Sequence, residues 1–227
     1  MESLSYRSII VASQRISWFL SQLLRVRYSI RADRPAGVFE RASECCLILA
    51  PTHQAILDPA LIMSALPYRC WRALIPLRVL ATQTFGSALL QFFKPIIMVI
   101  YWLWGVIELP PMNNRDGTLP EKLADLLERL RHGDVIMIFP EGEIGTPRDP
   151  PVDKFAPGVI YLHRNSGAPI VPIAVFLSDD WLPRRNCVIQ IGQLVQIPEH
   201  LSLEAGAEWL REQTLALYEQ AKELSAG

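Results

Sequence analysis

A histidine and an aspartate stand close together where an apolar segment ends. The segment LILAP, residues 47–51, is followed by His53 and, five positions further on, by Asp58. On a regular helix, five steps would place the two side chains about 140° apart, on different faces. They converge only if residues 51–57 leave a strand as a turn and a helix begins near Asp58. The dipeptide Asp58-Pro59 favours that start, because Asp is common at the N-cap and Pro at the first helical position.

This pair of side chains could act as a general base. If the Asp58 carboxylate accepts the Nδ1 proton of His53, Nε2 is left to take a proton from a substrate. No G-x-S-x-G segment supplies a protein nucleophile. The sequence therefore indicates a base that activates a hydroxyl or amine of the substrate. A simpler interpretation stands beside it: Asp58 would only cap a helix, and His53 would only complete a turn.

A second turn follows another apolar run. Residues 134–139 read DVIMIF and are followed by Pro140, Glu141 and Gly142. Ligands of α/β sheets bind beyond the carboxyl ends of the strands, and glycine adopts backbone conformations that other residues resist. We expect this turn to lie beside His53, unless it is only a plain connection between a strand and a loop.

Short apolar runs alternate with helical patterns along the chain. Sheets that are buried on both faces give such runs. The predicted strands cover residues 45–50, 73–77, 105–109, 134–139, 170–176 and 187–192. The clearest helix is 119–132, with Thr118 and Glu121 at capping-box spacing and Gly133 after its end, and another helix is expected over 202–224. The alternation predicts an α/β domain whose central sheet, mostly parallel or mixed, is flanked by helices.

The composition argues against several classes of function. The 227 residues suffice for one domain with a sizeable core, and the net charge of −1 gives no basic field for nucleic acid. Four cysteines without a C-x-x-C pair are expected to be buried, reduced thiols. His132, His163 and His200 are scattered and lack a metal-binding frame, so we expect no metal.

The N-terminal region is basic and apolar at the same time. Residues 1–34 carry six arginines against two acidic residues, with Trp18 and Phe19 among the aliphatic side chains. We predict a basic amphipathic helix over 1–34 that lies on an anionic membrane surface, followed by the α/β domain over 35–227. The alternative is a first helix that packs on the domain and keeps a solvated basic face.

A second apolar region, 85–107, is interrupted by Lys94-Pro95. The part that follows Lys94 is shorter than the roughly 20 residues that a membrane span needs. Trp102 and Trp104 would suit a headgroup layer. We therefore favour peripheral or monotopic attachment over spanning, and we expect the protein at the cytoplasmic face of a membrane.

Three segments in this order resemble the glycerolipid acyltransferase family, whose members acylate lysophosphatidate or glycerol 3-phosphate. They are HQAILD at 53–58, FPEG at 139–142 and PIVP at 169–172. The resemblance implies an acyltransferase of phospholipid biosynthesis that moves a fatty acyl group onto a hydroxyl of a lyso-lipid. It implies acyl-CoA or acyl carrier protein as co-substrate, membrane lipids as partners, and neither a further cofactor nor a metal.

The resemblance also assigns roles to residues of these segments. A general base, its orienting partner, an acceptor pocket and an acyl-donor side are implied. His53 would be the general base and Asp58 its orienting partner. Glu141 and Gly142 would help to form the acceptor pocket, and Pro169 and Pro172 would shape the acyl-donor side.

The chain departs from the family pattern at three positions that usually carry a cation. These positions hold Pro111, Ile144 and Ala156. Because a phosphate monoester carries close to two negative charges and favours bidentate arginine, their loss would weaken phosphate binding. One hypothesis is an acceptor without a phosphate monoester, such as another hydroxylated lipid. The other is that nearby cations replace them, the candidates being Arg115, Arg148 and Lys154.

Two other functions remain open at this point. A thioesterase would use His53 to activate water, and a non-catalytic lipid-binding member would keep the fold without turnover. The retained pair of His53 and Asp58 favours an enzyme, because a binding protein has no need of both side chains.

Overall fold

A seven-stranded sheet forms the centre of the computed structural model, which describes residues 4–39, 46–82, 91–109, 118–142, 151–179 and 184–226. Within this part of the chain the strand order is β1-β7-β6-β2-β5-β3-β4. The strands are β1 (Tyr28–Asp33), β2 (Ile48–Pro51), β3 (Leu77–Thr82), β4 (Ile107–Leu109), β5 (Val135–Met137), β6 (Ile170–Leu177) and β7 (Arg185–Ile191). Strands β2 to β6 share one direction, and β1 and β7 run the opposite way.

Helices cover both faces of this sheet. One layer contains α1 (Leu4–Ser21), α2 (Asp58–Ala65), α3 (Tyr68–Ala73) and α4 (Lys94–Trp104), and a short 3₁₀ helix (Gln22–Val26) joins α1 to β1. The other layer contains α5 (Leu119–Arg131), α6 (Gly158–Ser166) and α7 (Leu203–Ala226). Successive strand residues point to opposite faces, so Leu49 enters the core under the first layer and Ile48 the core under the second. The predicted α/β fold class is confirmed.

Most predicted elements match the observed ones, with one clear exception. Five of the apolar runs overlap β2, β4, β5, β6 and β7, and the helix predicted over 119–132 is α5. The strand predicted over 73–77 is wrong, because α3 continues to Ala73 and β3 begins only at Leu77. Leu74 is fully buried in the turn between them. An apolar run reports burial, and burial alone does not distinguish a strand from a buried turn.

The N-terminal region is not one continuous helix. Helix α1 ends at Ser21, and residues 28–33 form the edge strand β1, which pairs with β7. The helix predicted over 1–34 is therefore wrong at 28–33. The physical reason is the strand period: Tyr28 and Ile30 are buried on one face of the sheet, with the less buried Ser29 between them. The domain boundary predicted after residue 34 therefore separates β1 from the sheet to which this strand belongs.

Buried polar groups attach α1 to the core. Gln14 is fully buried; its Nε2 donates to the Leu77 carbonyl at 2.6 Å, and the Leu77 N–H donates to its Oε1 at 3.0 Å. Arg7 and the buried Arg78 both pair with the buried Asp134 at 2.7 Å. Leaving such groups unpaired would cost about 1–3 kcal/mol each. These contacts therefore fix α1 against the domain, as the alternative interpretation of this region expected.

Helix α4 begins at the Lys94-Pro95 step that interrupts the apolar region. Pro95 occupies the first turn of the helix, where its missing N–H costs nothing. The dipeptide therefore starts a helix instead of kinking one. None of the helices in the described part of the chain is both long enough and apolar enough to cross a membrane.

Candidate active site

The candidate site lies beyond the carboxyl ends of two neighbouring strands. Strands β2 and β5 are parallel neighbours, so the turns that follow them meet at one edge of the sheet. Thr52, directly after β2, is fully buried. Its N–H donates to the Ile173 carbonyl at 2.9 Å, and its Oγ1 accepts the Val175 N–H at 2.9 Å. These bonds to β6 fix the point at which His53 leaves the sheet.

His53 and Asp58 are in direct contact. Nδ1 of His53 lies 3.1 Å from Oδ2 of Asp58. The carboxylate is fully buried, whereas the imidazole keeps 17% of its surface exposed. Because an ionised carboxylate only accepts hydrogen bonds, Nδ1 carries the proton and Nε2 is the basic atom. The ring is oriented by a buried group and is open to a substrate.

Asp58 also shapes the turn that carries His53. Its Oδ2 accepts the N–H groups of Gln54 at 2.6 Å and Ala55 at 2.8 Å. Helix α2 begins at Asp58 itself, with Leu57 as its N-cap. The helix start is as predicted, but the N-cap prediction is wrong by one residue, because the carboxylate points back into the turn. Capping alone therefore does not account for the contacts of Asp58.

Phe139 covers one face of the imidazole. Its ring is stacked on His53 with the centroids 4.1 Å apart and the planes 28° from parallel. Phe139 is half-buried and packs against the core. The contact limits rotation of the imidazole and shields one of its faces from water.

The Glu141 carboxylate binds main chain from two segments. Oε1 accepts the N–H of His53 at 2.9 Å, and Oε2 accepts the N–H of Asp153 at 3.3 Å. Burial raises the pKa of Glu141, and the two backbone hydrogen bonds oppose this only in part. Glu141 therefore holds the turn of His53 against the 151–156 loop. These contacts differ from the acceptor-pocket role that the resemblance implies.

Gly142 closes the turn after β5. Its N–H donates to the Phe139 carbonyl at 3.1 Å, and its φ is +76°. This is the left-handed region, in which a side chain would be strained. The glycine therefore lets the chain reverse directly after Glu141.

Pro169 and Pro172 lie in or next to the interior of the sheet, away from His53. Pro172 is buried in β6 opposite Ala50, and the Pro169 carbonyl accepts the N–H of Ile48 at 3.0 Å. A Cβ at Gly192 would lie 2.8 Å from Cγ of Pro172, so this packing requires a glycine. Their role on the acyl-donor side, which the resemblance implies, stays a prediction.

Lys154 is the one predicted compensating cation within the described residues. Its side chain is exposed. Hydrogen bonds from Arg211 lower the pKa of Glu208, and the charges of Arg211 and Lys154 act in the same direction. Outside the described residues lie the other two cations and two of the departures: Arg115, Arg148, Pro111 and Ile144.

Cys187, on β7, is a neutral thiol behind the site. Burial raises its pKa to about 12, with a contribution from the charge of Asp58 that Arg185 opposes. Cys70 is likewise free and buried, and Cys46 is half-buried. A thiol with so high a pKa is not a nucleophile at neutral pH.

The buried His163 is a structural residue, distinct from the site. Its Nδ1 lies 2.8 Å from the Ala168 carbonyl, and its Nε2 accepts the Ile197 N–H at 3.2 Å. Both ring nitrogens are therefore bonded to main chain. Among the residues that the structure describes, no group of three or more His, Cys, Asp and Glu side chains could hold a metal ion.

Comparisons with known proteins point to one family. The sequence model of the family described as Acyltransferase matches residues 25–176, which contain both turns of the candidate site. The chain belongs to the acyltransferase family. The resemblance drawn from the three segments is thereby confirmed.

Two similar proteins refine this membership. Human 1-acyl-sn-glycerol-3-phosphate acyltransferase beta is 29% identical over 160 residues, which are 70% of this chain and 50% of the human protein. The chain thus spans half the length of this relative. The crystal structure of the 1-acyl-sn-glycerophosphate (LPA) acyltransferase PlsC from Thermotoga maritima superimposes with a TM-score of 0.64 at 15% identity. That match covers 100% of this chain and 85% of the bacterial one and shows a shared fold.

Sequence reasoning did not assign a role to Thr52 or Phe139. Thr52 precedes the segment HQAILD, and Phe139 is the first residue of FPEG, two of the segments that carry the acyltransferase resemblance. A polar residue directly after a buried strand was the only signal for Thr52. Nothing in the sequence pairs Phe139 with His53, because stacking depends on how the two turns meet in space.

Proposed function

We propose that the protein is an O-acyltransferase in which His53 is the general base. The Nε2 atom takes the proton of an acceptor hydroxyl, and the acceptor oxygen forms a bond to the carbonyl carbon of an acyl thioester. The carbon–sulfur bond then breaks, and the leaving thiolate receives the proton from Nε2. The products are an ester and a free thiol.

The main support for this proposal is the contact between an accessible imidazole and a buried carboxylate. Asp58 fixes the tautomer of His53 and stabilises the imidazolium that forms when Nε2 is protonated. The high pKa of Cys187 argues against a thiol nucleophile near the pair. The acceptor oxygen therefore attacks the thioester directly, without an acyl-enzyme.

Product analysis tests this proposal. Purified protein is incubated with acyl-CoA or acyl carrier protein thioester and a panel of lyso-lipids and monoacylglycerol, and thiol, acylated lipid and free fatty acid are measured. Acylated lipid that disappears in His53→Ala supports the proposal. Free fatty acid as the main product would make the protein a thioesterase, and absence of turnover would make it a lipid-binding member of the family.

The acceptor is proposed to be a hydroxylated lyso-lipid that does not rely on Lys154 for a phosphate contact. The support is the interaction of the Lys154 charge with that of Glu208, together with the absence of a cation at Ala156. In the panel, Lys154→Ala should change KM for each acceptor by less than about twofold. Turnover of lysophosphatidate far above all other acceptors, lost in Arg148→Ala, would instead establish a phosphate acceptor.

The protein is proposed to work on a membrane surface through an apolar platform on α1, α4 and the segments next to them. The platform consists of exposed apolar side chains, namely Leu4, Ile9, Ile16, Phe19, Leu20, Leu23, Val26, Phe92, Phe93, Ile96, Val99, Ile100 and Trp102. The two helices lie side by side, since the rings of Tyr6 and Trp102 are in tilted contact with centroids 5.1 Å apart and Trp104 donates to Ser17 at 2.8 Å. Contiguous apolar patches of this kind mark interaction sites.

Charge around the platform favours an anionic leaflet as its partner. Arg15, Arg25, Arg27 and Lys94 are exposed beside the apolar residues, where long basic side chains can reach lipid phosphates. Flotation with vesicles containing phosphatidylserine tests this proposal. The double variant Ile16→Ser, Leu20→Ser should reduce binding several-fold, whereas Leu224→Ser, an exposed leucine on α7, should not. Equal binding by the platform variant would contradict the proposal.

A further inference from the structure

Arg211, on helix α7, contacts the loop beside the candidate active site. It lies outside residues 25–176, which the acyltransferase family model matches. Its Nη1 donates to the carbonyl of Val152 at 3.3 Å, and its side chain is only 19% exposed. The contact comes from the opposite helical layer to the one that carries Asp58.

The guanidinium of Arg211 is held in one orientation. Its Nε and Nη2 donate to the carboxylate of Glu208 at 2.7–3.0 Å. Because the guanidinium is a rigid planar fork, this bidentate pair directs the remaining nitrogen, Nη1, at the loop. Val152 itself is fully buried in the core under that layer, so the loop has little freedom to move away.

One peptide group connects Arg211 with Glu141. The carbonyl of Val152 and the N–H of Asp153 belong to the same planar peptide unit. The carbonyl accepts from Arg211, and the N–H donates to Oε2 of Glu141 at 3.3 Å. Oε1 of Glu141 in turn accepts the N–H of His53 at 2.9 Å. The Arg211 cation polarises this peptide unit, so the N–H of Asp153 becomes a stronger donor to Glu141.

We propose that Arg211 is a positioning residue that holds His53 in its reactive place through the 152–153 peptide and Glu141. The inference rests on the proposed acyltransferase function. Arg211 touches no substrate; it acts by fixing the main chain of the general base. A role confined to stabilising α7 would alter unfolding but not the chemistry of folded molecules.

Steady-state kinetics of Arg211→Gln separate these two roles. We expect kcat to fall about fivefold to tenfold while KM for both substrates stays within about twofold, because positioning affects the reacting geometry and not substrate binding. Arg211→Lys should recover part of kcat. Lys222→Gln, an equal charge change at an exposed position of α7, is the control and should leave kcat unchanged.

A readout without turnover keeps this inference separate from the proposed function. Amide hydrogen exchange of His53 and Asp153 should be faster in Arg211→Gln than in the wild type and in Lys222→Gln. Faster exchange in a protein that shows no acyl transfer would retain the positioning contact and reject the proposed function. Unchanged exchange, or a wild-type kcat in folded Arg211→Gln, would overturn the inference.

Discussion

The two turns at the carboxyl edge of the sheet differ in what their side chains contact. The turn after β2 presents an imidazole that remains partly exposed, and the turn after β5 directs a carboxylate at main-chain N–H groups. Both turns carry residues of the kind that performs acid–base chemistry. On the proposed mechanism only the first does so, and the second holds the first in place. Residue type therefore indicates reactivity, and contacts decide which residue uses it.

Among the substitutions that test this comparison, Asp58→Asn should have the largest effect on kcat. The amide oxygen of the new side chain can still accept the main-chain N–H groups of the turn, but a neutral amide cannot stabilise an imidazolium or enforce the reactive tautomer. We expect kcat to fall by about three to four orders of magnitude, as for the equivalent change in His-Asp hydrolases. Steady-state kinetics with a thermal unfolding control provide the test. A decrease of less than tenfold would assign Asp58 to the turn alone.

Glu141→Gln should have a smaller effect, because it changes a positioning contact. A glutamine has one accepting oxygen, so either His53 or Asp153 would face an NH₂ group instead. We expect kcat to fall about 10-fold to 100-fold with KM for the acceptor nearly unchanged. The opposite pattern, a raised KM with unchanged kcat, would restore the acceptor-pocket role and remove the contrast between the turns.

Phe139→Leu should produce a loss of a few-fold. Removing the stacked ring costs about 0.5–1.5 kcal/mol, which corresponds to about 2-fold to 12-fold in kcat if the ring orients His53. Phe139→Tyr retains the ring and is the matched control. A leucine variant as active as the tyrosine variant would show that stacking does not orient the base.

The pH dependence of stability should distinguish the second turn from the first. The pKa of Glu141 is raised in the folded protein by burial, so the folded state binds the proton more tightly than the unfolded state does. By linkage, the Glu141 contribution to the free energy of unfolding falls as pH rises from the unfolded value of about 4.3 through the raised pKa. Urea unfolding should therefore show Glu141→Gln gaining stability relative to the wild type over that interval. A relative loss with rising pH would contradict the assigned direction.

Cys187→Ala should have the smallest effect on turnover. The neutral thiol takes no part in the proposed mechanism, so kcat should stay within about twofold. The small cavity should cost about 1 kcal/mol of unfolding free energy, measured by denaturant titration. A large loss of kcat, accompanied by loss of a burst of thiol release, would instead indicate an acyl-enzyme at this cysteine.

The sequence was sufficient for the architecture where local patterns determine it. Continuous apolar runs located β2 and β5 to β7, and capping-box spacing located α5, where the Thr118 N–H donates to Glu121 at 2.7 Å. Strand β1 was missed because Arg31, the arginines on either side of the strand and the neighbouring apolar residues also suit an amphipathic helix. Its pairing with β7 involves residues more than 150 positions away along the chain, and no local pattern records such a partner.

The contacts of the candidate site could be predicted only in part, because only some of them join residues that are close in the sequence. His53 and Asp58 lie within one turn, so their contact could be predicted on the condition that a helix begins near Asp58. The partners of Glu141 come from two other segments, and the contact of Arg211 with Val152 crosses to the last helix. Pro169 and Pro172 were assigned by family resemblance, and the burial of Pro172 next to Gly192 depends on the order of the strands in the sheet.

A double-mutant cycle on His53 and Asp58 tests the central claim most directly. The rates of acyl transfer are compared for the wild type, His53→Ala, Asp58→Asn and the double variant, all verified as folded. If Asp58 acts only through the imidazole, the double variant should be no slower than His53→Ala, so that the two losses are strongly non-additive. If the losses multiply instead, the two residues act independently, and the account of a paired general base is contradicted.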